Sequence, residues 1–116
     1  MIFSIKKRND VSHAEFYRYW LGTHAPLVAH HQEILRIKRY TQSHGVHSEV
    51  GEKLARHRGA TSRYDGVAEL WWENLSDLKL ALDSQEANAA LLMDESKFID
   101  FEQSDIQLTQ EYQVIT

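Results

Sequence analysis

Residues 12–28 read SHAEFYRYWLGTHAPLV, and they carry two helix starts and one stop. Ser12 with Glu15 has the form of a capping box, the serine oxygen accepting from the third helical N–H and the glutamate reaching back. Phe16 and Trp20, four residues apart, supply the buried stripe of a helix running to about Leu21. Gly22 comes next, and glycine takes the left-handed conformation past a helix C-terminus freely, so the first helix is expected to stop there. Pro26, the only proline, suits the first turn of a second helix, where its missing N–H is no loss. Leu27, Val28, Ile34 and Leu35 give that second helix an apolar side.

Working outward, Met1–Lys7 is a short β-favouring run before the helix pair, and Arg36–His44 alternates after it as a half-solvated strand does. Arg63–Glu73, rich in β-branched and aromatic residues, is the strongest strand candidate. Asn74 or Ser76 can cap a helix carrying Leu75, Leu78 and Leu82. Ser84–Asp94 reads as another helix, with Ala87, Ala90 and Leu91 at helical spacing, and Asp105–Ile115 alternates again as a closing strand. The order is βααβ–βααβ. Two such halves predict an α+β fold, a four-stranded antiparallel sheet with helices on one face. One chain has nothing left to cover the sheet's other face, where residues such as Leu70 or Trp72 would lie open. A homodimer pairing sheet to sheet is therefore expected. Gly45–Ser62 is the outlier, polar and carrying Gly51, Gly59, Lys53, Arg56 and Arg58. It reads either as a partly ordered insertion near a pocket mouth or as a solvated hairpin tip.

Composition narrows the function. At 116 residues the chain buries about two-thirds of its surface on folding, enough for one core and too little for separate cofactor and substrate domains. A net charge of −4 gives no basic footprint for nucleic acid. There is no cysteine for a disulfide or thiolate. The start, MIFSIKKRND, turns charged too early for a signal peptide, and no window has the roughly eighteen apolar residues of a membrane span. A cytoplasmic protein is expected. Seven histidines and twelve aromatics are many for so short a chain, and the histidines, which titrate nearest neutrality, either build a site or are mostly exposed polar residues.

The stretches Phe16-Tyr17-Arg18-Tyr19-Trp20 and His24-Ala25-Pro26-Leu27-Val28 resemble the EthD-type family of dimeric α/β-barrel proteins. The likeness continues through Arg39-Tyr40-Thr41-Gln42-Ser43-His44, Asp65-Gly66-Val67-Ala68-Glu69-Leu70-Trp71 and Phe98-Ile99-Asp100-Phe101. It is weakest across Gly45–Ser62. The resemblance implies one domain over residues 1–116, a ferredoxin-like fold paired as a dimeric barrel, and a pocket between sheet and helices in each subunit. The family's namesake accompanies a cytochrome oxygenase system that degrades fuel ethers. Related barrels include cofactor-free monooxygenases, lactone isomerases, and polyketide cyclases or dehydratases, and some bind haem.

His24 is the leading candidate, placed on the family motif and at the start of the second helix. There, free N–H groups and the positive helix end would depress its pKa and leave a neutral base. The alternative is a histidine that only caps the helix. If the middle strands pair with Tyr40 opposite Glu69, then His44 opposes Asp65, and Tyr40, Gln42, His44, Asp65, Glu69 and Trp71 share one face. That face would hold a His44–carboxylate pair, Tyr40 as an oxyanion donor and Trp71 as a stacking wall, or else only cross-strand surface pairs. Tyr17 and Trp20 are candidates for lining the substrate pocket. No metal is expected: His-x-x-x-His and His-Glu-x-x-His are absent, and the adjacent His30 and His31 diverge on a helix. A phosphate loop, a serine elbow and a Rossmann glycine pattern are absent too, so no organic cofactor is expected. The function expected is proton-transfer chemistry (isomerase, dehydratase or cyclase), or an oxidoreductase of monooxygenase type. The substrate would be an apolar or aromatic, oxygen-bearing metabolite. A non-catalytic carrier or oxygenase accessory, and a haem-binding barrel with one axial histidine, stand as alternatives.

Overall fold

The computed structural model describes residues 1–116. The elements run β1 (Ile2–Ile5), α1 (His13–Tyr19), a π-helical turn (Trp20–His24), α2 (Ala25–His30), β2 (Arg39–His44) and α3 (Glu49–Arg56). They continue through β3 (Gly66–Trp71), α4 (Leu75–Leu82), α5 (Gln85–Glu95) and β4 (Asp105–Gln107). The strands form one antiparallel sheet in the order β2-β3-β1-β4. This is the expected α+β, ferredoxin-like arrangement, and in a single copy the sheet stays open rather than closing as a barrel. No helix is long and apolar enough to cross a membrane.

Local chemistry sets the helix starts as expected. Ser12 Oγ accepts from the Glu15 N–H at 3.1 Å, and Asn74 Oδ1 accepts from the Asp77 N–H at 2.8 Å. Gly22 corrects the sequence reading. It does not end a helix, because α1 passes through the π turn into α2, with Trp20, His24 and Ala25 all at right-handed helical dihedrals. The Ala25 N–H bonds back to the Trp20 carbonyl, five residues earlier. Pro26 explains the widening, since a proline ring in a regular helix collides with the carbonyl four residues before it, which here belongs to Gly22. The wider turn relieves that collision.

Three further expectations change. Gly45–Ser62 contains a helix, α3, capped by Ser48 and burying none of its residues, so the element order gains a member. The closing strand covers only Asp105–Gln107 of the expected Asp105–Ile115. Gln107 already pairs with Ile2, so the next residues have run off the end of β1 and find no partner strand in their own chain. The register of the middle strands is displaced by one residue: Tyr40 pairs with Leu70, not Glu69, and His44 with Gly66. Trp20 packs against this part of the sheet: an added Cβ on Gly66 would meet its ring carbons at 2.5 and 2.7 Å, so only glycine fits there.

The helix-facing side of the sheet builds two cores. Phe3, Ile5 and Ala68 pack with Phe16, Trp20, Phe98 and Ile99. Val28, Leu35 and Ile37 pack with Ala81 and Ala87. Tyr40 and Leu70 touch both. Leu70 and Trp72, expected to lie open, are part of this interior, and the Trp72 indole N–H donates to the Leu35 carbonyl at 2.7 Å.

Candidate active site

Where the two cores fail to meet, a cavity of about 350 Å³ remains between the sheet and α2, α4 and α5. Its wall is almost wholly apolar, with Trp20, Val28, Leu70 and Leu91 among the contributors. His24, Tyr40, Asn88 and Glu95 bring polar groups to it. The Asn88 amide is occupied, donating to the carbonyls of Ala81 and Ser84 at 2.8 Å each and so tying α4 to α5. Three groups keep chemistry to offer.

His24 comes from the last residue of the π turn and is 5% exposed. Its Nδ1 lies 2.8 Å from Asp94 Oδ2, and Nε2 has no hydrogen-bond partner in the protein. The Tyr19 hydroxyl donates to the other Asp94 oxygen. Burial works against the Asp94 charge, but the bonds from Tyr19 and His24 outweigh it and hold the carboxyl below its ordinary pKa. An ionised Asp94 can only accept, so His24 carries its proton on Nδ1 and leaves Nε2 as a bare base. Burial lowers the His24 pKa, against the bond and charge of Asp94, so the imidazole is neutral near pH 7. The expected cause was a free helix N-terminus. The continuous helix offers none, and desolvation does the work instead.

Glu95 ends α5. Burial, and then the charge of neighbouring Asp94, push its pKa up to about 7. No hydrogen bond to the protein satisfies its carboxyl, which faces an apolar wall. Tyr40 projects from β2, with its phenol pKa raised chiefly by burial. Its hydroxyl accepts from Gln42 Nε2 at 2.7 Å, and the same amide nitrogen donates to the Trp20 carbonyl at 2.9 Å. Gln42 Oε1 then faces His44 Nε2 at 2.8 Å, which makes that nitrogen the protonated one. The Tyr40 hydrogen is left free for the cavity.

The candidates named from sequence thus separate into four places. His24, Trp20 and Tyr40 meet at the cavity. His44 lies outside it, stacked on Trp20 at 4.7 Å and connected to Tyr40 only through Gln42. Tyr17 and Asp65 sit together at the far end of β3, the Tyr17 hydroxyl donating to the Asp65 carbonyl at 2.7 Å. The displaced register sends Glu69 and Trp71 to the outer face of the sheet, beside Thr41 and Arg39. There the Arg39 guanidinium lies 4.7 Å over the Trp71 ring. Glu95 and Asp94 were not among the sequence candidates. A signal for them existed: an acidic pair closes α5 with no basic residue in its last turn, against the helix dipole.

Comparison with known proteins agrees with this architecture. A family model of the EthD domain matches residues 8–102. No curated protein matches the chain.

Proposed function

The chain belongs to the EthD family, and on that premise we propose that the cavity is the active site of a small cytoplasmic enzyme. It moves protons on an apolar or aromatic metabolite that bears an oxygen. The observation that carries this reading is a carboxyl with a pKa of about 7 in the same apolar cavity as a neutral, carboxylate-oriented imidazole. Groups tuned towards the working pH are what acid–base catalysis requires. His24 Nε2 takes a proton from carbon next to a carbonyl, and Asp94 steadies the imidazolium that forms. The Tyr40 hydroxyl donates to the enolate oxygen. Glu95, protonated, returns a proton to another carbon or to a departing hydroxyl, which completes an isomerisation, cyclisation or dehydration. The same carbanion, meeting dioxygen, opens the monooxygenase-type route.

A cavity of about 350 Å³ suits a small metabolite, near the lower end of ligand pockets at roughly 300–1,000 Å³. His24 has the tautomer an iron ligand needs, but a porphyrin is larger than a cavity of about 350 Å³. A carrier is the second reading, favoured by how little of the wall is polar. Deuterium exchange into a panel of aromatic ketones and 1,3-dicarbonyls separates the two. The enzyme is expected to speed exchange at the activated carbon, and His24→Ala is expected to abolish that while leaving the fold and assembly intact. Exchange unchanged in the variant removes His24 from the mechanism, and binding without exchange, flat across neutral pH, favours the carrier.

The homodimer belongs to the same proposal. Ile2, Val67 and Trp71 lie on the outer face, and apolar Leu108, Val114 and Ile115 follow β4 without a strand partner. A second copy supplies the cover and the missing pairing. Trp71→Glu is expected to turn the dimer into a monomer by light scattering at micromolar concentration, with an unchanged circular dichroism spectrum. A wild-type monomer under those conditions ends the idea.

A further inference from the structure

Three segments distant in sequence meet outside the cavity, at the start of α1. His13 is the first residue of α1, His47 lies in the β2–α3 connection, and Asp65 immediately precedes β3. His13 Nε2 stands 3.1 Å from Asp65 Oδ1, and the two imidazole rings are 4.9 Å apart. One ligand atom from each of the three residues lies within 4.8 Å of the others. We propose that His13, His47 and Asp65 form a binding site for a divalent transition metal of the zinc class, on the juxtaposition of two imidazoles and one buried carboxylate oxygen.

The donor set fits. Two imidazole nitrogens and a carboxylate are a ligand combination zinc uses when a fourth position stays open to water. Bonds of about 2.0–2.1 Å put tetrahedral ligand atoms roughly 3.3 Å apart. The His13–Asp65 pair already stands near that spacing, and His47, whose Nε2 now faces the Tyr17 hydroxyl at 3.3 Å, has to move inward to close the 4.8 Å spread of the three ligand atoms.

The site is also built rather than accidental. The Asp65 side chain is 4% exposed, and its Oδ2 accepts from the Lys7 N–H at 2.8 Å, which turns Oδ1 towards the histidines. Outer bonds of this kind orient metal ligands. The Asp65 carbonyl gathers the remaining partners. It accepts from the Tyr17 hydroxyl at 2.7 Å and from the Gly45 N–H at 2.9 Å, which pins the connection carrying His47. Gly45 permits this approach, since a Cβ there would stand 2.8 Å from that same carbonyl oxygen. The nearest competing cation is the Lys6 ammonium. It is 3.9 Å from Oδ2 rather than Oδ1, and its half-exposed chain is free to turn outward.

The bound ion would staple the β2–α3 connection to α1, which the protein otherwise ties only through Tyr17 and Gly45. Isothermal titration of the chelator-treated full chain with zinc chloride tests this, together with the visible spectrum of the cobalt-loaded protein. The expected result is one zinc per chain, a four-coordinate cobalt spectrum, and a higher melting temperature with metal. His13→Ala and His47→Ala alter exposed side chains, so both should fold. Each is expected to weaken zinc binding roughly tenfold or more and to remove the melting shift, while His30→Ala and His31→Ala leave both unchanged. No zinc binding by the wild type overturns the proposal. Binding that persists in His13→Ala and His47→Ala, or is lost with His30 or His31, overturns it as well.

Discussion

Glu95→Gln is expected to cut turnover by about 10²–10⁴-fold, the usual worth of a positioned general acid, and to erase one side of the pH profile. In the wild type, His24 must be neutral and Glu95 protonated. The rate then rises as pH climbs through the lowered His24 pKa and falls again above about 7, where Glu95 ionises. Glutamine cannot lose a proton, so the residual activity of the variant should keep the acid limb and lack the alkaline one. An alkaline limb that survives at the same position assigns the acid to another group. The profile must be taken on kcat/KM, which reports the free enzyme's pKa values.

The same substitution carries a stability signature of opposite sense to its effect on activity. Glu95 has a folded pKa of about 7 against an ordinary 4.5, so the folded state holds the extra proton between those values. Its contribution therefore falls as pH rises from about 4.5 to 7 and stays low above that. At about 1.4 kcal/mol per unit, the glutamine variant should gain on the order of 3 kcal/mol at pH 8 and almost nothing at pH 4. His24 acts in the other direction, since a lowered pKa makes it destabilise the fold as pH falls through the ordinary histidine value. Wild type minus variant isolates the Glu95 part. Gain in one property with loss in the other is how a strained catalytic group behaves.

These residues also show what a sequence can carry. The segments that form β1, β2 and β3 and the caps at Ser12 and Asn74 depend on neighbours a few positions away, and local pattern exposes them. The fate of Gly22 depended on Pro26 four residues later, and the two signals, a stop and a start, merged into one widened turn. The strand register is a tertiary fact. A Tyr40–Glu69 pairing and a Tyr40–Leu70 pairing look equally plausible by alternation, and the contacts that accompany the second, such as Trp20 against His44 and Gly66, are distant in sequence. That single displacement moved Glu69 and Trp71 away from the cavity. His24 was legible by type and place, but the reason for its tuning was not, because Asp94 is seventy residues away and burial cannot be read from spacing. Glu95 showed only as part of an acidic helix end, and the burial that tunes it could not be read from spacing.

Trp20→Ala is expected to cost about 3–5 kcal/mol, a large share of the roughly 5–15 kcal/mol that holds a domain of this size. The ring is 1% exposed and packs against Phe16 at 5.4 Å and His44 at 4.7 Å. Removing it opens a void between helix and sheet that a rigid core cannot close. Gly66→Ala attacks the same contact from the other side, since the new Cβ would sit 2.5 Å from the Trp20 ring and 2.9 Å from the Ser43 carbonyl. Overpacking of this kind costs about 1–3 kcal/mol. If Trp20 on Gly66 is what locks the register, the two losses are not independent. Pairing Trp20→Phe with Gly66→Ala gives the methyl part of the space it needs, and the double variant should lose less than the sum of the singles by about 0.5–3 kcal/mol. Chemical denaturation of the four proteins measures that coupling. A value within error of zero means that the register is held by the strand hydrogen bonds alone, and that Trp20 only fills space.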